Sequence, residues 1–204
     1  MLVAGLGVVL VVAGCAAPRV ETPAREPSAP AAAAPVAAPS TSALADSDAP
    51  AERGRAPQRI TIPDIDVRSS IQPVATVDRV LQIPPKPWEV GWWEAGVGQG
   101  SDHGTTVLVA HLDSRTYGVG PFARAKDLRV GAPMTLRDEQ GDAQRYRVSA
   151  VDTYLKQVLP AEDIFTQSGP PRVVLVTCGG QYNRDAGGWD SNVVVTFTPE
   201  ETPL

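Results

Sequence analysis

The chain of 204 residues has only two cysteines, Cys15 and Cys178, and only two histidines, His103 and His111. So few thiols exclude a disulfide framework and a thiolate zinc site, and two histidines do not make a histidine-rich metal centre. Neither a metal nor a cofactor is expected. There is no basic stripe, and the net charge is −5, which argues against nucleic acid as a partner. The sequence also lacks an internal repeat and a sustained amphipathic helix. Its length suits one domain of ordinary size, expected as a monomer, and is too short for two large ones.

The longest apolar run, Leu2 to Gly14, is too short to span a bilayer, which needs about 20 residues, but it suits the core of a signal peptide. It ends Val12-Ala13-Gly14-Cys15, which resembles the lipobox of bacterial lipoproteins. The resemblance implies lipidation of Cys15. No Lys or Arg precedes the run. If the start lies upstream, the segment is instead the end of a membrane-spanning anchor. Either reading exports the chain and ties it to a membrane through its N-terminus. Residues 1–15 are thus read as signal or anchor. Ala16 to Gln58 is Ala, Pro and Ser with scattered charges. It cannot bury enough apolar surface to offset its ordering entropy. It reads as a disordered stalk that could reach about 130 Å when fully extended. Deleting it should leave the stability of a domain spanning 59–204 nearly unchanged.

From Arg59 onward the pattern is that of short strands. Arg59 to Ile62 alternates, and Pro63 ends it. Asp66 to Val74, Leu81 to Ile83, Val90 to Trp93, Thr105 to Ala110, Met134 to Leu136, Tyr146 to Val151, Val173 to Val176 and Asn192 to Phe197 read as further strands. Helical turns are expected around Phe122 to Val130 and Leu159 to Phe165. This spacing of strands and turn signals indicates an all-β sandwich or barrel. Trp92 and Trp93 are adjacent, so both cannot face one core. Trp93 is taken as the ring that lines a substrate groove.

Two buried-looking strands end in chemically useful residues. Val173 to Val176 leads to Thr177-Cys178, and Gly179 and Gly180 leave space beside the thiol for another chain. Thr105 to Ala110 leads to His111. If these strands are neighbours, thiol and imidazole emerge together, a nucleophile–base pairing. A backbone-bonded strand-end histidine and a buried structural cysteine remain the alternatives on pattern alone. His103, in a glycine-rich loop, is the rival base.

At Val109-Ala-His111-Leu-Asp-Ser114, Val174-Leu-Val-Thr-Cys178-Gly-Gly180 and Asn192-Val-Val-Val195 the chain resembles the sortases, the cysteine transpeptidases of bacterial surfaces. The resemblance runs from about Ile60 to Phe197. Thr-Cys-Gly-Gly, with the His-x-Asp-Ser element upstream, looks most like the class F sortases of actinobacteria. The resemblance implies a closed eight-stranded β-barrel with short helical turns and a His–Cys–Arg site. It implies attack by Cys178 on a Thr carbonyl in the sorting-motif peptide of a surface protein. An amine acceptor of a cell-wall precursor then resolves the acyl-enzyme, with His111 as acid/base. The family's arginine commonly lies on or just before the strand after the Cys loop. Here that region reads Trp189-Asp190-Ser191-Asn192, with no arginine. Arg184, the only arginine after the cysteine, is therefore expected in the role, with Arg115 in reserve as a substrate contact. The expected location is extracytoplasmic, at the bacterial cell surface. Two rivals stand beside this reading: a catalytically silent sortase-like barrel that binds peptides, and a secreted cysteine peptidase that uses water as acceptor.

Overall fold

The computed structural model describes residues 53–185 and 187–200. The apolar N-terminal segment, Cys15 and the stalk as far as residue 52 lie outside the described residues. Among those described, no helix is long and apolar enough to cross a membrane.

Strand β1 (Pro57–Ile62) stops at a 3-10 turn, Pro63–Ile65, because proline has no N–H to continue the ladder. Next come β2 (Val67–Val74), the small hairpin of β3 (Thr76–Val77) and β4 (Val80–Leu81), and β5 (Val90–Trp93). Then follow β6 (Thr105–Val109) and the short pair β7 (Asp113–Ser114) and β8 (Gly118–Val119). A 3-10 segment, Pro121–Asp127, leads to β9 (Pro133–Asp138) and the long β10 (Ala143–Leu155). A 3-10 turn at Lys156–Val158 and helix α1 (Ala161–Ile164) precede β11 (Arg172–Asn183) and β12 (Gly188–Pro199).

Eight of these strands close into a barrel in the order β1-β2-β5-β6-β11-β12-β10-β9. The expected fold class is therefore the observed one. Neighbours are antiparallel except β2 with β5 and β6 with β11. The barrel interior is filled by Ile60, Ile62, Leu108, Leu136, Leu175, Val195 and Phe197, among others. A second core lies on the outer face of β6, β11 and β12, where Val107, Val109, Val174, Val176 and Val194 meet Leu81, Trp93, Ile164 and Phe165. Strands buried on both faces read as unbroken aliphatic runs rather than alternating ones. That is why Val173 to Val176 and Thr105 to Val109 were legible as buried strands.

Three details differ from the sequence reading. First, the folded chain extends upstream of Arg59. Arg55 and Gln99 exchange two backbone hydrogen bonds of 2.8 Å, Gly98 N–H donates to Arg53 O at 2.6 Å, and Pro57 already pairs with Asp138. The Arg55 guanidinium bonds Asp138 at 3.0 Å and Asp142 at 2.7 Å. The composition of a stalk concealed this, because these contacts are made by backbone and by the charged side chains of Arg55, Asp138 and Asp142. A chain beginning at Arg59 is accordingly expected to melt lower than one beginning at Arg53. Each lost backbone hydrogen bond contributes about 1 kcal/mol net. At roughly 2–4 °C per kcal/mol for a domain of this size, the drop should be about 5–10 °C by thermal unfolding. Equal melting temperatures would show the segment to be a passenger. Burial opposes the charged form of Asp138, but Arg55 and the backbone N–H groups of Asp142 and Gln140 outweigh it and hold its pKa below the ordinary value. A depressed carboxylate stabilises the fold above its unfolded pKa and ceases to do so as pH falls through the folded one. The gap between the two chains should therefore narrow below about pH 4.

Second, β11 does not end at Cys178. Its pairing with β12 resumes at Tyr182 and Asn183, after a register shift between Gly179 and Tyr182. Gly180 sits in that bulge at φ 78°, a conformation that favours glycine. A Cβ there would meet the Asp190 carboxylate and the Ser191 side chain, and one on Gly179 would approach Val193 Cγ2 at 2.6 Å. The room these glycines leave is taken by β12, so they shape the hairpin rather than open a space for a ligand. Third, Trp93 is only 2% exposed and packs edge-on against Phe165 at 5.0 Å. Both faces of β5 are covered: Trp92 leans on the barrel interior while Trp93 fills the outer core. Trp93 therefore presents no surface to a peptide.

Candidate active site

Register places the thiol. Val176 pairs with Val109 across the parallel β6–β11 junction, and Ala110 N–H still donates to Val176 O at 3.1 Å. Two positions further on come Cys178, still on β11, and His111, two residues past the end of β6; paired strands run about 4.8 Å apart. Side chains alternate along a strand. Cys178 therefore shares the outer face of β11 with Val174 and Val176, opposite Val107 and Val109 of β6. Asn192 is the register partner of Cys178 on β12, and Tyr154 is the partner of Asn192 on β10. Cys178 thus stands at the rim of the outer core, at the end of the sheet where β6 runs out toward His111.

His103 lies at the other end of β6. Eight residues of mostly extended chain, on the order of 25 Å, separate it from His111. Its Nδ1 is engaged with Asp102 at 2.6 Å. The rival base is thereby removed from the thiol. Arg184 is exposed in the turn between Asn183 and Gly188, at the tip of the β11–β12 hairpin. About 15–20 Å of strand lie between it and Cys178. Arg115 is exposed in the loop after β7. Neither arginine is among the charged groups that act on Cys178, which are Lys156 and Asp113.

Burial pushes the Cys178 thiol above its ordinary pKa. Lys156 pulls it down and Asp113 pushes it further up. Burial likewise pushes the His111 imidazole below its ordinary value, partly offset by Asp113. The resting pair at neutral pH is therefore thiol and neutral imidazole. Asp113 is held by Trp189, whose Nε1–H donates to Oδ1 at 3.0 Å. Trp189 packs edge-on against its register partner Tyr182 at 5.5 Å. The extended hairpin thus reaches over to fix the carboxylate that acts on both members of the pair.

Sequence reasoning quoted Asp113 within the His-x-Asp-Ser element but gave it no role, and it missed Trp189 and Lys156. The Tyr182–Trp189 pair could have been found by folding a hairpin about the Asp185–Gly188 turn. Lys156 carries no local signal, because only barrel closure brings the end of β10 to this site. Among the described residues no three His, Cys, Asp or Glu side chains are grouped to hold a metal. A surface cleft of about 410 Å³, lined by Glu162, Asp163 and Arg172 among others, lies at the far end of β11 from the thiol.

The solved structures that share this fold include sortase A of Corynebacterium diphtheriae, in a lid mutant. It is 17% identical at a TM-score of 0.53, covering 72% of this chain and 71% of that one. Sortase C-1 of Actinomyces oris is 21% identical at a TM-score of 0.52, covering 71% and 73%. Sortase C1 of Streptococcus agalactiae is 20% identical at 0.53, covering 72% and 68%. At these identities the likeness is one of fold. No match is found among curated proteins. The sortase-domain family model matches residues 60–200, more than two thirds of the sequence and the whole of the barrel from Ile60 onward, and the chain therefore belongs to the sortase family.

Proposed function

We propose that this protein is a cysteine transpeptidase of class F type that anchors surface proteins to the cell wall. What supports the reading is that Cys178 and His111 follow, at the same end, the aliphatic cores of the paired parallel strands β11 and β6 of a sortase barrel. The Cys178 sulfur attacks the Thr carbonyl carbon of a C-terminal sorting motif, forming a C–S bond and a tetrahedral oxyanion. Collapse breaks the peptide C–N bond, and the His111 imidazolium gives its proton to the departing amine. An amine of a cell-wall precursor then attacks the thioester. The sulfur leaves as thiolate, and the proton lost by the amine returns to His111.

The test is intact mass spectrometry of the protein after incubation with a pool of sorting-motif peptides, with and without an added amine. A thioester adduct that converts to the amine-transferred peptide is expected. An adduct released only as free acid makes the protein a peptidase. Peptide binding without any adduct makes it a silent recognition barrel.

Membrane attachment belongs to the same proposal. The motif Val12-Ala-Gly-Cys15 supports export, lipidation of Cys15 and a position at the outer surface of the membrane, with the Ala- and Pro-rich segment as spacer. Cys15→Ser should leave an unprocessed precursor, visible as a larger band in membrane fractions. Normal processing of that variant would point to a transmembrane anchor instead.

A further inference from the structure

The family's arginine has no counterpart on β12, yet a cation does stand at the site. Leu155 pairs with Ser191 at the end of β10, so Lys156 follows opposite Asp190, across β12 from Cys178. The Lys156 Nζ atom is buried and has no hydrogen-bond partner. A buried polar group without a partner is costly, and a catalytic role is one of the few reasons a native structure keeps one. Asp190 does not satisfy it. Its Oδ1 instead accepts from Ser191 Oγ at 2.7 Å and Gln181 N–H at 2.9 Å.

We propose that Lys156, delivered from the strand on the far side of β12, supplies the positive charge that stabilises the Cys178 thiolate and the oxyanion formed from it. The oxyanion half of this statement rests on the transpeptidase reading above. The charged groups that act on the thiol are Lys156 from the end of β10 and Asp113 from β7, with His111 past the end of β6 and Asp190 on β12 flanking them in the register. Lys156 is the only lysine or arginine in this set. Its charge acts on both Cys178 and Asp190, favouring the ionised form of each. Asp113 opposes it at the thiol, so removing the lysine leaves a buried sulfur facing a carboxylate. An ammonium on a flexible stem can follow the sulfur and the carbonyl oxygen in turn. A guanidinium at the tip of a hairpin about 15–20 Å of strand away cannot.

The test measures alkylation of Cys178 by iodoacetamide, a neutral reagent, across pH on the full chain, read at Cys178 by peptide mass spectrometry. Lys156→Met should move the midpoint to higher pH and slow alkylation at pH 7.5 roughly tenfold. Lys156→Arg should restore the profile. Lys156→Gln serves as a second neutral variant where the methionine does not fold. In the same variants thioester formation with the peptide pool should fall about 10²- to 10³-fold. A lysine with a structural role alone would lower the melting temperature without moving the alkylation midpoint. Folded neutral variants with the wild-type profile would overturn the proposal. So would a profile that moves with Arg184→Ala or Arg115→Ala and not with Lys156. The two readings fail separately. A wild-type protein that alkylates normally but never forms a thioester sinks transpeptidation, whereas normal thioester formation by Lys156→Met sinks only the lysine.

Discussion

Cys178→Ala is expected to abolish thioester formation altogether, with no residual adduct above background. Cys178 is the one free thiol among the described residues. Serine is not an adequate substitute. Its hydroxyl is far less acidic than a thiol, and the resting imidazole, with its basicity lowered by burial, is a poor base for it. The fold should survive the change. The side chain is half-buried at the rim of the outer core rather than inside it, so little packing is lost. The measurement is intact mass after exposure to the peptide pool, with melting temperature as the control for folding. An adduct of unchanged mass on Cys178→Ala would mean that another residue carries the acyl group, and the assignment of the nucleophile would fall.

How much of this was legible depended on which forces acted locally. The two aliphatic runs that end near His111 and Cys178 announced themselves because burial on both faces removes polar residues from a strand. Their adjacency did not. It follows from a parallel pairing between strands more than sixty residues apart, which no local pattern encodes. The continuation of β11 through Gly180 was hidden for a related reason. A pair of glycines marks either a strand's end or a bulge, and only the resumed pairing of Tyr182 with Trp189 tells which. Trp93 was placed in a groove on the premise that one face of β5 meets solvent, and the outer core covers that face. Arg55 looked like stalk because it docks by two carboxylates and a backbone bridge rather than by apolar burial. Lys156 was the least legible. A lysine after a half-exposed strand is ordinarily a solvated charge. What singles it out is a buried, unpartnered nitrogen, a property of the closed barrel and not of the sequence around it.

His111→Ala is expected to slow thioester formation about 10²- to 10⁴-fold and to change the shape of its pH profile. The imidazole titrates below its ordinary 6.5 and the thiol above its ordinary 9.0. In the wild-type pair the reactive species, thiolate with imidazolium, holds one proton and is the minor arrangement of that singly protonated state. It gains population as the first proton leaves and loses it as the second does, whichever residue each proton is assigned to. The wild-type rate should therefore rise through an acid limb below pH 6.5, stay level through neutrality and fall in an alkaline limb above pH 9. Without the imidazole only the thiolate matters, so the residual rate should climb with pH and keep no alkaline limb. Alkylation by iodoacetamide needs no proton donor and should climb with pH in both proteins. That contrast separates loss of the acid from loss of the nucleophile. If His111→Ala lowered the rate but kept a bell-shaped profile, a different group would be donating the proton to the leaving amine. His111 would then be a residue that positions the thiol rather than one that transfers the proton.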